Sequence, residues 1–160
     1  MTTPVQKQGQ YTDSAQRSLG HLTLPGLASS VPIARAWLSG TLVGAGHGRL
    51  DDVLLVLSEL ATNAVRHSSS KLPGGRVMVR VSEVEVGLVR VEVIDEGSDD
   101  VPCRREPDFD RCTGRGLHLV EMLSKEWGHH RIGPICGCVW AEVPTRPGCL
   151  VSRPGAYQDS

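Results

Sequence analysis

Glu59-Leu-Ala-Thr-Asn63-Ala-Val-Arg66-His67 decides how this chain is read. It is the second half of a segment, residues 51–67, in which Val53, Leu57, Leu60, Ala61 and Ala64 recur at the spacing of one buried helix face. Glu59 and Asn63 stand one turn apart on that helix, beside the apolar stripe rather than in it. Their oxygens can therefore address one small volume above the helix, which a metal or a phosphate could occupy. A solvated helix face would account for any one of these residues taken singly, so the rest of the chain has to choose. His67, at the edge of the apolar face, is expected to make a structural hydrogen bond rather than to take part in catalysis.

Working outward, 160 residues with 39% hydrophobic content suffice for one core and predict a single folded unit. A net charge of -1 and 4% aromatic residues leave neither the basic excess nor the stacking surface of a nucleic-acid binder. No apolar run is long enough for a membrane span, and the first residues lack the apolar core of a secretory signal, so a cytoplasmic protein is expected. The five cysteines (Cys103, Cys112, Cys136, Cys138 and Cys149) show no paired CxxC spacing. Structural thiols account for them better than disulfides, or than a zinc site built from Cys136, Cys138, His129 and His130.

Residues 1–18 are polar and aperiodic, and 146–160 are rich in Pro, Gly and Ser; both read as tails around a folded unit of residues 19–145. His21-Leu-Thr-Leu24 alternates as a strand. Ser29, Ser30 and Pro32 give the start of a helix expected to turn Ile33, Trp37 and Leu38 inward and to stop within Gly40–Gly48. Gly44-Ala-Gly46-His-Gly48 lacks the Gly-Lys-Ser/Thr ending of a phosphate loop and reads as a connection between helices. After the 51–67 helix, Val77, Val79 and Val81 and then Val89, Val91 and Val93 form the buried faces of a hairpin turned at Glu85-Val-Gly87. The alternation breaks at Asp95-Glu-Gly97, and residues 98–113 read as a long loop.

Gly114-Arg115-Gly116 then opens a helix whose inward residues are expected to be Leu117, Val120, Leu123 and Trp127, closed by Gly128. Such a start, with free backbone N–H groups and the positive end of the helix dipole, can receive an anion without a lysine. Val139, Ala141 and Val143 alternate as a last strand. This order of elements predicts an α+β two-layer sandwich, with helices on one face of a mixed, largely antiparallel sheet.

Three groups of residues thus follow one another: Glu59-x-x-x-Asn63-Ala-x-x-His67, Asp95-x-Gly97, and Gly114-x-Gly116-Leu117. In this order they resemble the nucleotide-binding boxes of the GHKL superfamily of ATPases and kinases, whose ATP-binding fold is of the Bergerat type. The short chain and the ending Val139-Trp-Ala-Glu142 are most similar to the stand-alone anti-sigma-factor serine/threonine kinases and their actinobacterial relatives. The resemblance spans residues 20–144.

The resemblance implies an ATP- and Mg2+-dependent protein kinase. Asn63 would ligate the magnesium, and Glu59 would be the general base toward a serine hydroxyl. Asp95 would accept from the adenine amino group, and Gly97 would admit the base close to the backbone. Gly114, Arg115 and Gly116 would hold phosphate, Leu117 would cover the nucleotide, and residues 98–113, with Arg104 and Arg105, would close as a lid. Partners would be a sigma factor, an anti-anti-sigma protein, or both, with the Arg35 region a partner surface and a homodimer expected. Two departures stand out: Asp99 replaces the usual second glycine, and Cys136-Gly-Cys138 replaces a Gly-Lys-Thr-like stretch. Cys138 would then put a weak thiol where relatives have a hydroxyl contacting the nucleotide, reducing affinity or turnover. The competing function is a nucleotide-dependent protein-binding module without catalysis.

Overall fold

The computed structural model describes residues 16–97 and 116–145. The elements are β1 (Arg17–Pro25), α1 (Ser30–Gly44), α2 (Asp51–His67), a 3-10 turn (Ser69–Lys71), β2 (Arg76–Glu85), β3 (Leu88–Asp95), α3 (Gly116–Leu123), β4 (Glu126–Ile132) and β5 (Cys136–Pro144). The strands form one sheet in the order β1-β2-β3-β5-β4. All four pairings are antiparallel, and β5 inserts between β3 and β4, which leaves β4 at an edge.

The α+β sandwich follows from period. On α2, Val53, Val56, Leu57, Leu60, Ala61 and Ala64 are buried, with Asp51 and Asp52 in the first turn and Arg66 and His67 in the last, each sign matched to the helix dipole. That stripe packs on the alternate valines of the sheet, Val77, Val79 and Val81 on β2 and Val89, Val91 and Val93 on β3, with Ala141 and Val143 of β5. Each fully buried Val or Leu contributes about 1.5–3 kcal/mol relative to exposure, so the interlayer contact is the main support of the fold.

Two expectations are corrected here. The inward face of α1 is Ala34, Leu38 and Leu42, whereas Ile33 is 54% exposed. Trp37 is only partly buried, its ring resting on Gly20, where a Cβ would come within 3.4 Å of it. The helix beginning at Gly116 ends at Leu123 and does not continue to Trp127 and Gly128. Lys125 N donates to Glu142 O at 2.8 Å, turning the chain into edge strand β4, which carries both residues. Gly128 is needed there because Trp140 on β5 lies across it, 3.0 Å from the position of a Cβ.

Among the described residues no helix covers the other face of the sheet, where long side chains cover one another. Arg80 Nε lies 3.2 Å from Glu92 Oε2, Arg90 Nη1 lies 3.3 Å from Glu142 Oε1, and the Arg90 guanidinium sits 3.8 Å above the Trp140 ring. Burial pushes the Glu142 carboxyl up, and Arg90 partly offsets this. At one end of the sheet, His47 from the α1–α2 connection places Nδ1 2.6 Å from Thr145 Oγ1 and Nε2 2.6 Å from Glu83 Oε2. No helix of the described residues is long and apolar enough to cross a membrane.

Candidate functional site

The site begins where the apolar stripe of α2 gives way. Glu59 and Asn63 flank Leu60 and Ala64 and are half-buried. The start of α3 lies against Glu59: a Cβ added at Gly116 would stand 2.5 Å from Glu59 Oε2. Glycine at 116 thus leaves room for the carboxylate beside the free amides of a helix start. Leu117, the next residue, is half-buried in the first turn of α3.

The second part is the end of β3. Asp95 continues the parity of Val89, Val91 and Val93, so it stands on the helix-facing side. Gly97 N donates to Asp95 Oδ1 at 2.7 Å, and the backbone of Gly137, its register partner on β5, also bonds the carboxylate. Burial nonetheless pushes the Asp95 carboxyl above its ordinary value, the two backbone bonds working against the shift. Gly97 adopts φ +73°, and a Cβ there would collide with the carbonyl oxygen of Ile135 in the β4–β5 turn.

Ser68–Lys71, which sequence reasoning passed over, joins these two parts. Ser68 Oγ donates to Ala64 O at 2.5 Å at the end of α2 and accepts from Ser70 N at 3.1 Å. Ser69 N donates to Gly97 O, and Ser70 Oγ accepts from Glu96 N at 3.0 Å. The signal was local: a serine run between a helix end and the turn Pro73-Gly74-Gly75.

Not every expected residue joins the site. Cys138 pairs with Ile94, so it has the opposite parity to Asp95 and lies on the helix-free face. It is buried there, and burial, with the Glu92 carboxylate next in importance, pushes its thiol up to about 12. The expected contact of Cys138 with a ligand beside Asp95 is therefore not brought about. His67 is exposed. Arg35 Nη1 donates to Leu54 O at 3.0 Å and to Ser58 Oγ at 2.5 Å, which clamps α1 to α2 one residue before Glu59. Gly114, Arg115, Arg104, Arg105, Asp99, the 98–113 lid and both expected tails lie outside the described residues. Among the described residues, no group of three or more His, Cys, Asp or Glu could hold a metal ion by itself.

A helix-borne Glu/Asn pair, a strand-end Asp-x-Gly and a glycine-opened helix stand on one side of a five-stranded antiparallel sheet, the arrangement of a GHKL-type domain. Residues 24–142 match the family described as histidine kinase-like ATPase domain, and the chain belongs to that family. It is similar to the serine-protein kinase RsbW of Bacillus subtilis (strain 168), with 30% identity over 118 residues, 66% of this chain and 73% of that protein. It also resembles the solved RsbU and RsbW domains of Rv1364c from Mycobacterium tuberculosis, with a TM-score of 0.57 and 22% identity. That match covers 80% of this chain but only 33% of the other, and it is a likeness of fold.

Proposed function

We propose that this protein binds Mg-ATP and transfers the γ-phosphoryl group to a serine or threonine of a partner protein of the anti-anti-sigma kind, while a sigma factor is the partner it sequesters. The observation that carries this reading is the placement of the Glu59 carboxylate against Gly116 at the opening of α3. A base and an anion-receiving helix start then meet at one point. The residues present suit magnesium, because a half-buried Asn63 offers a hard neutral oxygen, and magnesium takes few protein ligands and keeps phosphate oxygens and waters for the rest. When bound, the ion would neutralise the charge of the phosphate oxygens.

The remaining chemistry belongs to the chain. Asp95 accepts from the adenine amino group, Gly97 lets the base lie close to the backbone, and Leu117 covers the nucleotide. The amides of Gly116 and Leu117, with Gly114 and Arg115 before them, hold the phosphates. Glu59 takes the proton of the partner's hydroxyl. That oxygen bonds to the γ-phosphorus as the bond from phosphorus to the β–γ bridging oxygen breaks, which leaves ADP and a phosphorylated partner. The similarity to a protein whose name states serine-protein kinase supports this class of acceptor.

The test is incubation of the full chain with γ-labelled ATP and candidate antagonist proteins encoded beside it. Label should pass to the partner, and Glu59→Gln should bind ATP as the wild type does while transfer falls about 10²–10⁴-fold. Binding without transfer to any partner, and a cellular phenotype unchanged by Glu59→Gln, would leave a nucleotide-dependent binding module instead.

A further inference from the structure

Asp95, paired with Gly137 of β5, is the last residue of β3, and Glu96 and Gly97 beyond it have left the sheet, so the ladder alone does not fix their position. The Ser69–Lys71 turn does. Ser70 Oγ accepts from Glu96 N at 3.0 Å and Ser69 N donates to Gly97 O, while Ile135 closes on Gly97 from the other side. The same turn is fastened to α2, because Ser70 N donates to Ser68 Oγ and Ser68 Oγ donates to Ala64 O. Ser70 is 1% exposed. Two glycines make room for it: a Cβ at Gly26 or at Gly75 would collide with the Ser70 carbonyl.

We propose that Ser70 is a positioning residue for base recognition: its hydroxyl holds the Glu96 amide and so sets where the Asp95 carboxylate stands relative to the helix carrying Asn63. The inference rests on the nucleotide reading above. Ser70 is buried, and among the described residues its hydroxyl bonds the Glu96 amide, at the base end of the site. Its removal should therefore weaken reading of the base without weakening the hold on phosphate.

Isothermal titration of the full chain with ATP, GTP and tripolyphosphate, each with magnesium, tests this on wild type, Ser70→Ala and Asp95→Ala. Ser70→Ala should lose about tenfold in ATP affinity, the equivalent of about 1.4 kcal/mol. Its preference for ATP over GTP should shrink in proportion, and its tripolyphosphate affinity should stay unchanged. An equal loss for ATP and tripolyphosphate would make Ser70 a general structural residue and overturn the proposal, as would no loss at all. If Ser70→Ala does not fold, Ser70→Cys, which keeps the bulk with a poor acceptor, gives the same readouts. Should Asp95→Ala also leave ATP affinity intact, the nucleotide reading fails and the inference falls with it. A failure at Ser70 alone leaves that reading standing.

Discussion

Replacing Asp95 by Asn tests the proposed base-reading role of this residue with almost no change in shape. The Gly97 amide donates to Oδ1 at 2.7 Å, and the Gly137 backbone bonds the same carboxylate. A carboxylate can satisfy these donors and still accept from an adenine amino group. An amide has one oxygen: if it stays with the Gly97 N–H, the NH2 group faces the base, donor against donor. Losing a hydrogen bond to a charged acceptor costs about 1.5–3 kcal/mol, or about 10–150-fold in affinity. Inosine triphosphate, which presents an oxygen where adenine has its amino group, should lose nothing and gain from the new donor. Titration of both variants with both nucleotides should show the preference of Asp95→Asn moving from ATP toward inosine triphosphate.

The pH dependence of the wild type has a definite sign. The folded carboxyl titrates above its ordinary 3.8. ATP affinity should therefore fall on the acid side, with a midpoint above that value, and the Asn variant should lack this limb. By linkage, the raised pKa makes the contribution of Asp95 to stability greatest below 3.8 and loses it as pH rises through the folded value. At neutral pH the neutral variant should thus melt no lower than about 2–4 °C below wild type, so weak ATP binding could not be blamed on unfolding. Undiminished ATP affinity in Asp95→Asn, with no gain for inosine triphosphate, would refute the reasoning.

Three further perturbations probe separate parts. Gly116→Ala puts a methyl 2.5 Å from Glu59 Oε2 and should displace that carboxylate, so transfer to the partner should fall far more than ATP affinity in a labelled-phosphate assay. With its thiol pushed up to about 12, Cys138 is thiolate in only about one molecule in ten thousand at pH 8; site-resolved mass spectrometry after iodoacetamide should find half-buried Cys136 alkylated and Cys138 spared until the protein is unfolded. Arg90→Ala removes the partner of Glu142 and the cation above Trp140, and should destabilise by roughly 2 kcal/mol at pH 8. Because Glu142 already titrates above 4.5 and would titrate higher without Arg90, that loss should shrink as the pH is lowered, which thermal melts would show.

The parts of the fold that were legible are those in which one face decides everything. The α2 stripe gave its bounds because six buried positions sit against the sheet, and the valine alternation of β2 and β3 survived because only one face of each meets the helices. The misreading of Trp127 and Gly128 has the opposite origin. An edge strand such as Glu-Trp-Gly-His-His-Arg-Ile buries little on either side, so its alternation is faint, and a glycine that yields to a tryptophan on the next strand looks like a helix stop. Ile33 was misplaced because one apolar residue on a short helix fits two phases, and the four-residue spacing of Ala34, Leu38 and Leu42 settles it only once the sheet is present. The order of Glu59, Asn63, Asp95, Gly97 and Gly116 pointed to two places that the structure does join, Gly116 with Glu59 and Gly97 with Asp95. Ser70 was not legible, because its partner Glu96 and the glycine at 26 that makes room for it are remote in sequence and its chemistry is that of any turn serine.

The site itself is best described as an interruption of the core. Val89, Val91 and Val93 fill successive inward positions of β3, and the next inward position is Asp95. Along α2 the buried residues are bordered by Glu59 and Asn63, and the neighbouring positions that could have filled the space, Gly97 and Gly116, carry no side chain. Polar groups are thus set on elements whose positions are already dictated by close packing a residue or two away, and an interior packed at crystal-like density holds them with little freedom. A purely apolar change one step behind the site should consequently be felt in it. Val93→Ala, which removes two buried methyl groups beside Asp95 on the same face of β3, should lower ATP affinity as well as stability. Val81→Ala, equally buried on β2 but two pairs farther along the ladder from Asp95, should lower stability alone. Equal effects of the two on ATP affinity, at matched folded fractions, would mean that the core does not position the site in this way.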